Sequence, residues 1–461
     1  MQAPFDIAAD LDTPVSAFLK LGPLRPRYLL ESVEGGERLA RYSFLGFGDA
    51  LEVRMDSKAL TVDGKKNARP TTQAAYLNAL RQALSLAPRP KPEVAELPFS
   101  GGLVGVSGYD VVRLFERLPQ NTTPQANVPD AAFMATASLL VFDHLTRRVA
   151  LLHDGPEYER QRLRSEVIKR LRGPVPKPEN SIQTSAAMPS LTEAEYADRV
   201  RACKEYIASG DIYQIVVSVL FRGKTNLAPF EAYRALRLLN PSPYMFFFDF
   251  GDVQVVGSSP EALVRLQGKT ASLRPIAGTL PRGATVDEDR ENEKALLADP
   301  KEAAEHVMLV DLARNDLGRV ASAGSVHVDP YRSIERYSHV MHIVSGVQGE
   351  LGEGFDQFDL FAASFPAGTL VGAPKVRAME IIEEMEQVGR GLYAGTAGYF
   401  GISGDMDQAI TIRTLVFSGD EYSFQAGAGI VADSVPAREY QEVLAKSAIL
   451  RSALEIAGEG L

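Results

Sequence analysis

The sequence predicts an α+β protein in which large antiparallel β-sheets form a sandwich-like core with helices packed outside. Three observations carry that expectation. Strand-like runs follow one another directly instead of alternating strictly with helices, which disfavours a doubly wound parallel sheet. Apolar residues make up 45% of the 461 and charged residues 23%, ordinary values for a globular chain. The length exceeds one simple core, and a shift in composition near residue 180 divides it.

In chain order, Thr13-Pro14 reads as a helix N-cap followed by proline at the first helical position, with Val15, Phe18 and Leu19 inward. Strands follow over 28–32, 41–47, 50–55 and 59–63, punctuated by Gly35-Gly36, Gly48-Asp49 and Asp56-Ser57. Tyr76, Leu77, Leu80 and Leu84 mark a helix that stops before the proline-rich stretch 87–92. Residues 101–106 form a glycine-rich apolar strand, 133–143 with 149–153 a hairpin, and Leu163, Val167, Ile168 and Leu171 a helix stripe. Pro, Ser, Thr and Asn dominate residues 173–190, the expected linker between an N-terminal region, 1–172, and a second region, 191–461. The capping box Thr192-x-x-Glu195 opens a helix whose inward stripe is Tyr196, Val200, Cys203 and Ile207. Strands over 212–221, 244–250, 254–257, 395–400, 410–417 and 421–428 then share the second region with helices.

Charge and composition exclude several classes. A net charge of −10 argues against nucleic acid or an anionic membrane surface as partner. One cysteine rules out a disulfide framework and suits a reducing compartment. Met1-Gln-Ala-Pro-Phe-Asp-Ile7 lacks the basic and apolar segments of a signal peptide, and no run approaches a membrane span, so a cytoplasmic location is expected. The stretch 367–375 places glycines before Lys375 but lacks the Gly-Lys-Ser/Thr ending, and Pro374 removes an amide that a phosphate cradle needs. His339 and His342 find no third ligand at zinc spacing.

Residues 301–316 are the most informative stretch. As a helix they set Glu302 and Glu305 on one face, with Val307, Leu309, Val310 and Leu312 expected in the core. A second acidic pair, Glu439 and Glu442, precedes Lys446 by one turn. Two helices with carboxylates at i and i+3 can supply an oxygen-only site, which suits Mg²⁺ better than zinc.

Taken in order, the motifs carry a resemblance. Asp211-Ile-Tyr-Gln-Ile-Val-Val-Ser218, Ser259-Pro-Glu261, Arg274-Pro-Ile-Ala-Gly-Thr279, the run from Glu305 to Asp316, Tyr337-Ser-His-Val-Met-His342, Gly368-Thr-Leu-Val-Gly-Ala-Pro-Lys375, Ile412-Arg413 and Ala426-Gly-Ala-Gly429 resemble the chorismate-utilising enzymes. So do Leu29-Leu-Glu-Ser32 and Phe99-Ser-Gly-Gly-Leu-Val-Gly105, and the whole set is most similar to the large subunits of anthranilate synthases.

The resemblance implies that family's fold and a reaction, the first step of tryptophan biosynthesis. Ammonia replaces the C4 hydroxyl of chorismate by attack at C2, and loss of pyruvate then gives anthranilate. Glu261 takes the general-acid position and His342 assists the elimination. Gln214, Ala277, Gly368, Thr369, Tyr393, Arg413, Gly427, Ala428, Gly429 and Lys446 match substrate positions, and both glutamate pairs match an Mg²⁺ site. Chorismate is a dianion, so Arg413 and Lys446 must supply local positive charge, each pair at 4 Å being worth about 4 kcal/mol at an effective dielectric near 20. Gln214 stands where isochorismate synthases carry a lysine base, and Ala277 where many aminodeoxychorismate synthases carry a lysine nucleophile. Both point to ammonia and to anthranilate. Cys203 makes a poor glutaminase nucleophile, so a separate glutamine amidotransferase subunit, and hence a hetero-oligomer, is expected to deliver ammonia. Leu30, Glu31 and Ser32 with Asn240, Pro241, Tyr244, Met245 and Phe246 match a pocket for L-tryptophan as feedback inhibitor. The rival expectations are aminodeoxychorismate synthase component I and a catalytically silent tryptophan-sensing protein.

Overall fold

The computed structural model describes residues 4–33, 41–94, 96–176, 182–336 and 340–460. Outside them fall the Gly35-Gly36 turn, part of the linker stretch (177–181) and Tyr337, Ser338 and His339 of the histidine motif.

The α+β expectation holds: among the described residues antiparallel ladders join 21 strands into one curled, branching sheet. Two long strands, Tyr42–Met55 and Ala131–Asp143, pair along their whole length and lie at the branch point. One branch runs from Tyr42–Met55 through Pro26–Glu31, Tyr244–Asp249, Val253–Ser259, Thr414–Ser418 and Glu421–Ile430 to Gln214–Lys224. The other runs from Ala131–Asp143 through Gly102–Ser107, Thr396–Gly401 and Met406–Ile410 to Ala262–Gln267. Strands from the two sequence regions therefore share both branches, through Leu30 opposite Phe246 and Val104 opposite Tyr399.

Side-chain alternation builds the core. Tyr28, Phe44, Phe246, Phe248 and Val255 of the first branch meet Val104, Val106, Ala397 and Tyr399 of the second in a filling between the sheets. The opposite faces pack against helices. Pro436–Glu459 covers Glu421–Ile430 and the helices Glu193–Ala208 and Pro229–Leu239. Thr192 and Glu195 close the expected capping box, and Cys203 is buried on the expected stripe.

Three local readings change, the first being that the strands expected over 41–47 and 50–55 are one, Tyr42–Met55, with an irregularity between Phe47 and Ala50. Val307, expected in the core, is exposed, because the buried stripe of helix Pro300–Gly318 is His306, Leu309, Val310, Ala313 and Leu317. That spacing of three and four leaves Val307 a quarter turn away. The single strand expected over 410–417 is instead two, Met406–Ile410 and Thr414–Ser418. The break falls at Arg413, whose φ of +49° is left-handed and cannot continue a pleated strand.

Candidate active site

Where that strand breaks, a cavity of about 520 Å³ opens between the end of the first branch and helices Pro300–Gly318 and Pro436–Glu459. Gln214, Glu261, Glu305, Thr369, Tyr393, Arg413, Gly427, Gly429, Glu439, Glu442 and Lys446 line it. Residues 232 positions apart in sequence, Gln214 and Lys446, thus belong to one wall system.

Each wall has a local cause. Gly427 and Gly429 lie on strand Glu421–Ile430, opposite Ser218 and Val216. A Cβ on Gly427 would stand 2.8 Å from both the Tyr393 hydroxyl and the Val217 carbonyl, and one on Gly429 would stand 3.0 Å from the Gln214 amide nitrogen. Only bare backbone leaves the floor open. Lys446, on helix Pro436–Glu459, donates to the Gly427 carbonyl (3.2 Å) and pairs with Glu442 (2.7 Å).

Glu261 sits on the opposite wall, between strands Val253–Ser259 and Ala262–Gln267. The Thr369 hydroxyl donates to its carboxyl (2.9 Å). Burial raises its pKa to about 7, more than Thr369, Lys446 and Arg413 together lower it. Near neutral pH this carboxyl is therefore protonated far more than an ordinary glutamate. A carboxylic acid with that poise, in a cleft beside two cations, is fitted to donate a proton to a leaving group.

Of the four glutamates expected at a metal site, Glu305, Glu439 and Glu442 line the cavity. Glu305 is raised by burial first and then by Glu302, with Glu442 adding to it, so like charges from two helices converge. Glu302 points at Gly278, 3.0 Å from where a Cβ would lie, and is not part of the cavity wall. Among the described residues no three acidic, imidazole or thiol side chains stand in ready metal-ligating geometry. The donor set is nevertheless oxygen-only and anionic, which matches a hard cation.

Other expected residues lie further back. Ala428 is fully buried, facing away from the cavity flanked by Gly427 and Gly429. Gly368 lines a small adjoining void with Glu261 and Thr369. Ala277 is buried, while its neighbour Ile276 lines the cavity. His342 pairs across strands with Thr279, and its Nδ1–H donates to the Gly278 carbonyl (2.9 Å). Burial lowers its pKa, with nearby Arg413 contributing in the same direction, so the neutral ring dominates at neutral pH.

A buried brace behind the floor escaped sequence reading. Arg390, fully enclosed, pairs with Glu386 (2.7 Å) and donates to the carbonyls of Leu370 and Val216 (both 2.8 Å). Its guanidinium lies 5.6 Å from the centre of the Tyr393 ring. Glu386 in turn accepts from the backbone and hydroxyl of Ser218 (2.9 and 2.7 Å), and Ser218 accepts from Gln425 (2.8 Å). Leu370, Val216, Tyr393 and Gln425 all line the cavity, so one ion pair fixes four points of its wall. The only sequence signal is an Arg four residues after Glu386, a spacing that usually means an exposed pair. Lys375, the lysine of the rejected phosphate loop, is likewise structural: it pairs with buried Asp316 (3.0 Å).

A second, larger cavity of about 950 Å³ opens between the two branches. Leu30, Glu31, Ser32, Tyr244, Met245 and Phe246 line it, whereas Asn240 and Pro241 do not. Glu31 is already engaged, accepting from Arg237 (3.0 Å) and from the Tyr233 hydroxyl.

Comparison with known proteins agrees with this geometry. A family model described as chorismate binding enzyme matches residues 25–452. This chain belongs to the chorismate-binding enzyme family. Anthranilate synthase component 1 of Aquifex aeolicus is 44% identical over 470 residues, covering 98% of this chain and 94% of that one. The protein of the same description from Pseudomonas aeruginosa is 44% identical over 478 residues, covering 99% and 96%. Among solved structures, anthranilate synthase component I from Streptococcus pneumoniae TIGR4 superposes with a TM-score of 0.81 at 36% identity, covering 89% of this chain and 92% of that one. Among the described residues no helix is long and apolar enough to cross a membrane.

Proposed function

We propose that the 520 Å³ cavity converts chorismate and ammonia to anthranilate and pyruvate, making this chain the large subunit of an anthranilate synthase in the cytoplasm. The observation that carries the reading is Glu261, a carboxylic acid with a pKa of about 7 bonded to Thr369 and facing Arg413 and Lys446. Arg413 and Lys446 hold the substrate carboxylates, and the amides around Gly427 and Gly429 accept close approach of an anion. Glu261 protonates the departing hydroxyl, and a neutral His342 accepts a proton in the elimination. Members of the set Glu302, Glu305, Glu439 and Glu442 would hold Mg²⁺, whose charge would there neutralise a substrate carboxylate.

Gln214 and Ala277 support ammonia as nucleophile, since neither position offers a lysine to activate water or to attack the ring. The buried thiol of Cys203, pushed up to about 12 by burial, is no glutaminase nucleophile. A glutamine amidotransferase subunit is the proposed ammonia source, in a hetero-oligomer. The 950 Å³ cavity takes L-tryptophan, whose indole fits against Leu30, Tyr244, Met245 and Phe246.

Product analysis tests the reaction. Chorismate, Mg²⁺ and ammonium salt should yield fluorescent anthranilate without any added lyase. Accumulation of an aminated, non-aromatic product would instead support aminodeoxychorismate synthesis, and no turnover would favour the sensing protein.

A further inference from the structure

Gln425 stands on the floor of the small cavity, on the same face of strand Glu421–Ile430 as Gly427 and Gly429. Its side-chain NH₂ donates to the Ser218 hydroxyl (2.8 Å), and its side-chain oxygen accepts from the NH₂ of Gln125 (3.2 Å). Gln125 belongs to the N-terminal region, 300 positions away in sequence. Its segment is pinned in place: the Thr123 amide donates to the Gln387 carbonyl (3.0 Å), and the Gly389 amide to the Thr123 carbonyl (2.8 Å).

A glutamine side chain has a donor end and an acceptor end of nearly equal shape, so its neighbours decide which way it lies. Here two flanks decide independently. On one, the Gln125 nitrogen also donates to the Gly389 carbonyl (2.9 Å), which can only accept, so that nitrogen must meet an oxygen on Gln425. On the other, the Glu386 carboxylate, paired with Arg390, accepts from the Ser218 hydroxyl (2.7 Å). The Ser218 proton is thereby committed, and its oxygen is left to accept from Gln425. Donation runs one way from Gln125 to Glu386. One hydrogen of the Gln425 nitrogen is used by Ser218, and the other finds no acceptor among the described residues, in a residue only 6% exposed. A buried donor left unpaired costs free energy until a ligand supplies an acceptor.

We propose that Gln425 is a substrate-binding residue that offers this N–H to an oxygen of chorismate, and that Gln125 is the positioning residue that keeps the amide so turned. The inference rests on the reading that the small cavity takes chorismate. The oxygens of a dianion accept, so a donor on the floor adds to the hold of Arg413 and Lys446. The reversed amide would set oxygen against oxygen. The N-terminal region thus shapes recognition in the small cavity through one side chain that does not line it.

The test uses the full chain with ammonium salt as nitrogen source and follows anthranilate fluorescence. Gln425→Met removes the donor at similar length. It should raise KM for chorismate about three- to tenfold, the size of one hydrogen bond, with kcat within about twofold. Gln125→Glu puts an acceptor where the donor stood, which turns the Gln425 nitrogen away from Ser218 and should raise KM by a similar factor. In the double variant Gln125→Glu should add nothing to the KM of Gln425→Met, since the amide it turns is gone. A merely structural Gln125 would add its own loss. Gln425→Leu and Gln125→Leu carry the same cycle where either first choice does not fold. With wild-type turnover intact, an unchanged KM in Gln425→Met or additive losses in the double variant would overturn the proposal and leave the chorismate reading standing. A wild type that converts no chorismate would overturn both.

Discussion

The two cavities share a sheet but differ in how far their charges are paired within the protein. Around the large cavity most charges are settled within the protein. Arg282 pairs with Asp289 (2.6 Å), Arg274 with Glu335, and Glu31 with Arg237 (3.0 Å). In the small cavity burial raises Glu305, with Glu302 and Glu442 near it, and the Glu261 carboxyl is raised to about 7 beside Arg413 and Lys446. Settled pairs hold a shape and leave apolar surface for a ligand. Crowded, shifted groups hold free energy that only a charged substrate or cation releases. On the function proposed above, the contrast separates a pocket for recognition from one for reaction.

The sharpest way to break that comparison is Glu261→Gln. Loss of a positioned general acid should lower kcat by about 10²- to 10⁴-fold, with the fold retained. The pH dependence follows from the raised pKa. Wild-type kcat should fall as pH rises through about 7, where the acid form is lost, and the residual rate of the variant should lack that limb. Stability carries the same sign. The carboxyl binds its proton more tightly folded than unfolded, so its contribution is complete below an unfolded value near 4.5 and is lost as pH rises through about 7. At pH 8 Glu261→Gln should therefore melt no lower than wild type, while at pH 4 it should lose any advantage. A melting temperature that falls sharply at pH 8 would show that the carboxylate is stabilising, against this account.

Much of this was legible because the reactive groups sit on elements with strong local signals. Glu302 and Glu305 ride a helix opened by Asp299 and Pro300, and Gly427 and Gly429 stand in a strand whose apolar alternation is plain. What stayed hidden depends on three-dimensional neighbours. Arg390 and Glu386 look like a surface i,i+4 pair, and nothing local announces that strands and helices close over them. The break at Arg413 was hidden too, since Ile410 to Phe417 is apolar enough for one strand and the left-handed turn is set by tertiary contacts. Asn240 and Pro241 fell in a motif read as pocket wall, and only the folded chain separates the part that lines the cavity from the part behind it.

Glycine substitutions on the floor sharpen the comparison at smaller scale. Gly427→Ala meets the Val217 carbonyl, which is backbone, as well as the Tyr393 hydroxyl, so the wall must move. Overpacking of that kind costs about 1–3 kcal/mol, and chorismate KM should rise with it. Gly429→Ala meets only the end of the Gln214 side chain, which can swing aside, so its melting temperature should stay near wild type. If both variants lose stability equally, the floor is less rigid than its backbone contacts imply.

The smallest effect is expected where charge is already settled. Arg274 belongs to the same sequence motif as Ala277, and by motif alone it would be assigned to the reaction. In the fold it is 40% exposed, lines the large cavity and pairs with Glu335. An ion pair that open to solvent contributes about 0–1 kcal/mol. Arg274→Ala should therefore leave kcat/KM for chorismate within about twofold, because no developing charge in the small cavity depends on it. Steady-state kinetics at low and at 0.5 M salt would separate the alternatives, since a long-range steering role fades as the Debye length shrinks to about 4 Å. A salt-dependent loss of tenfold or more would mean that the arginines of the large cavity draw chorismate in, and that the two cavities divide their electrostatic work less cleanly than their ion pairs indicate.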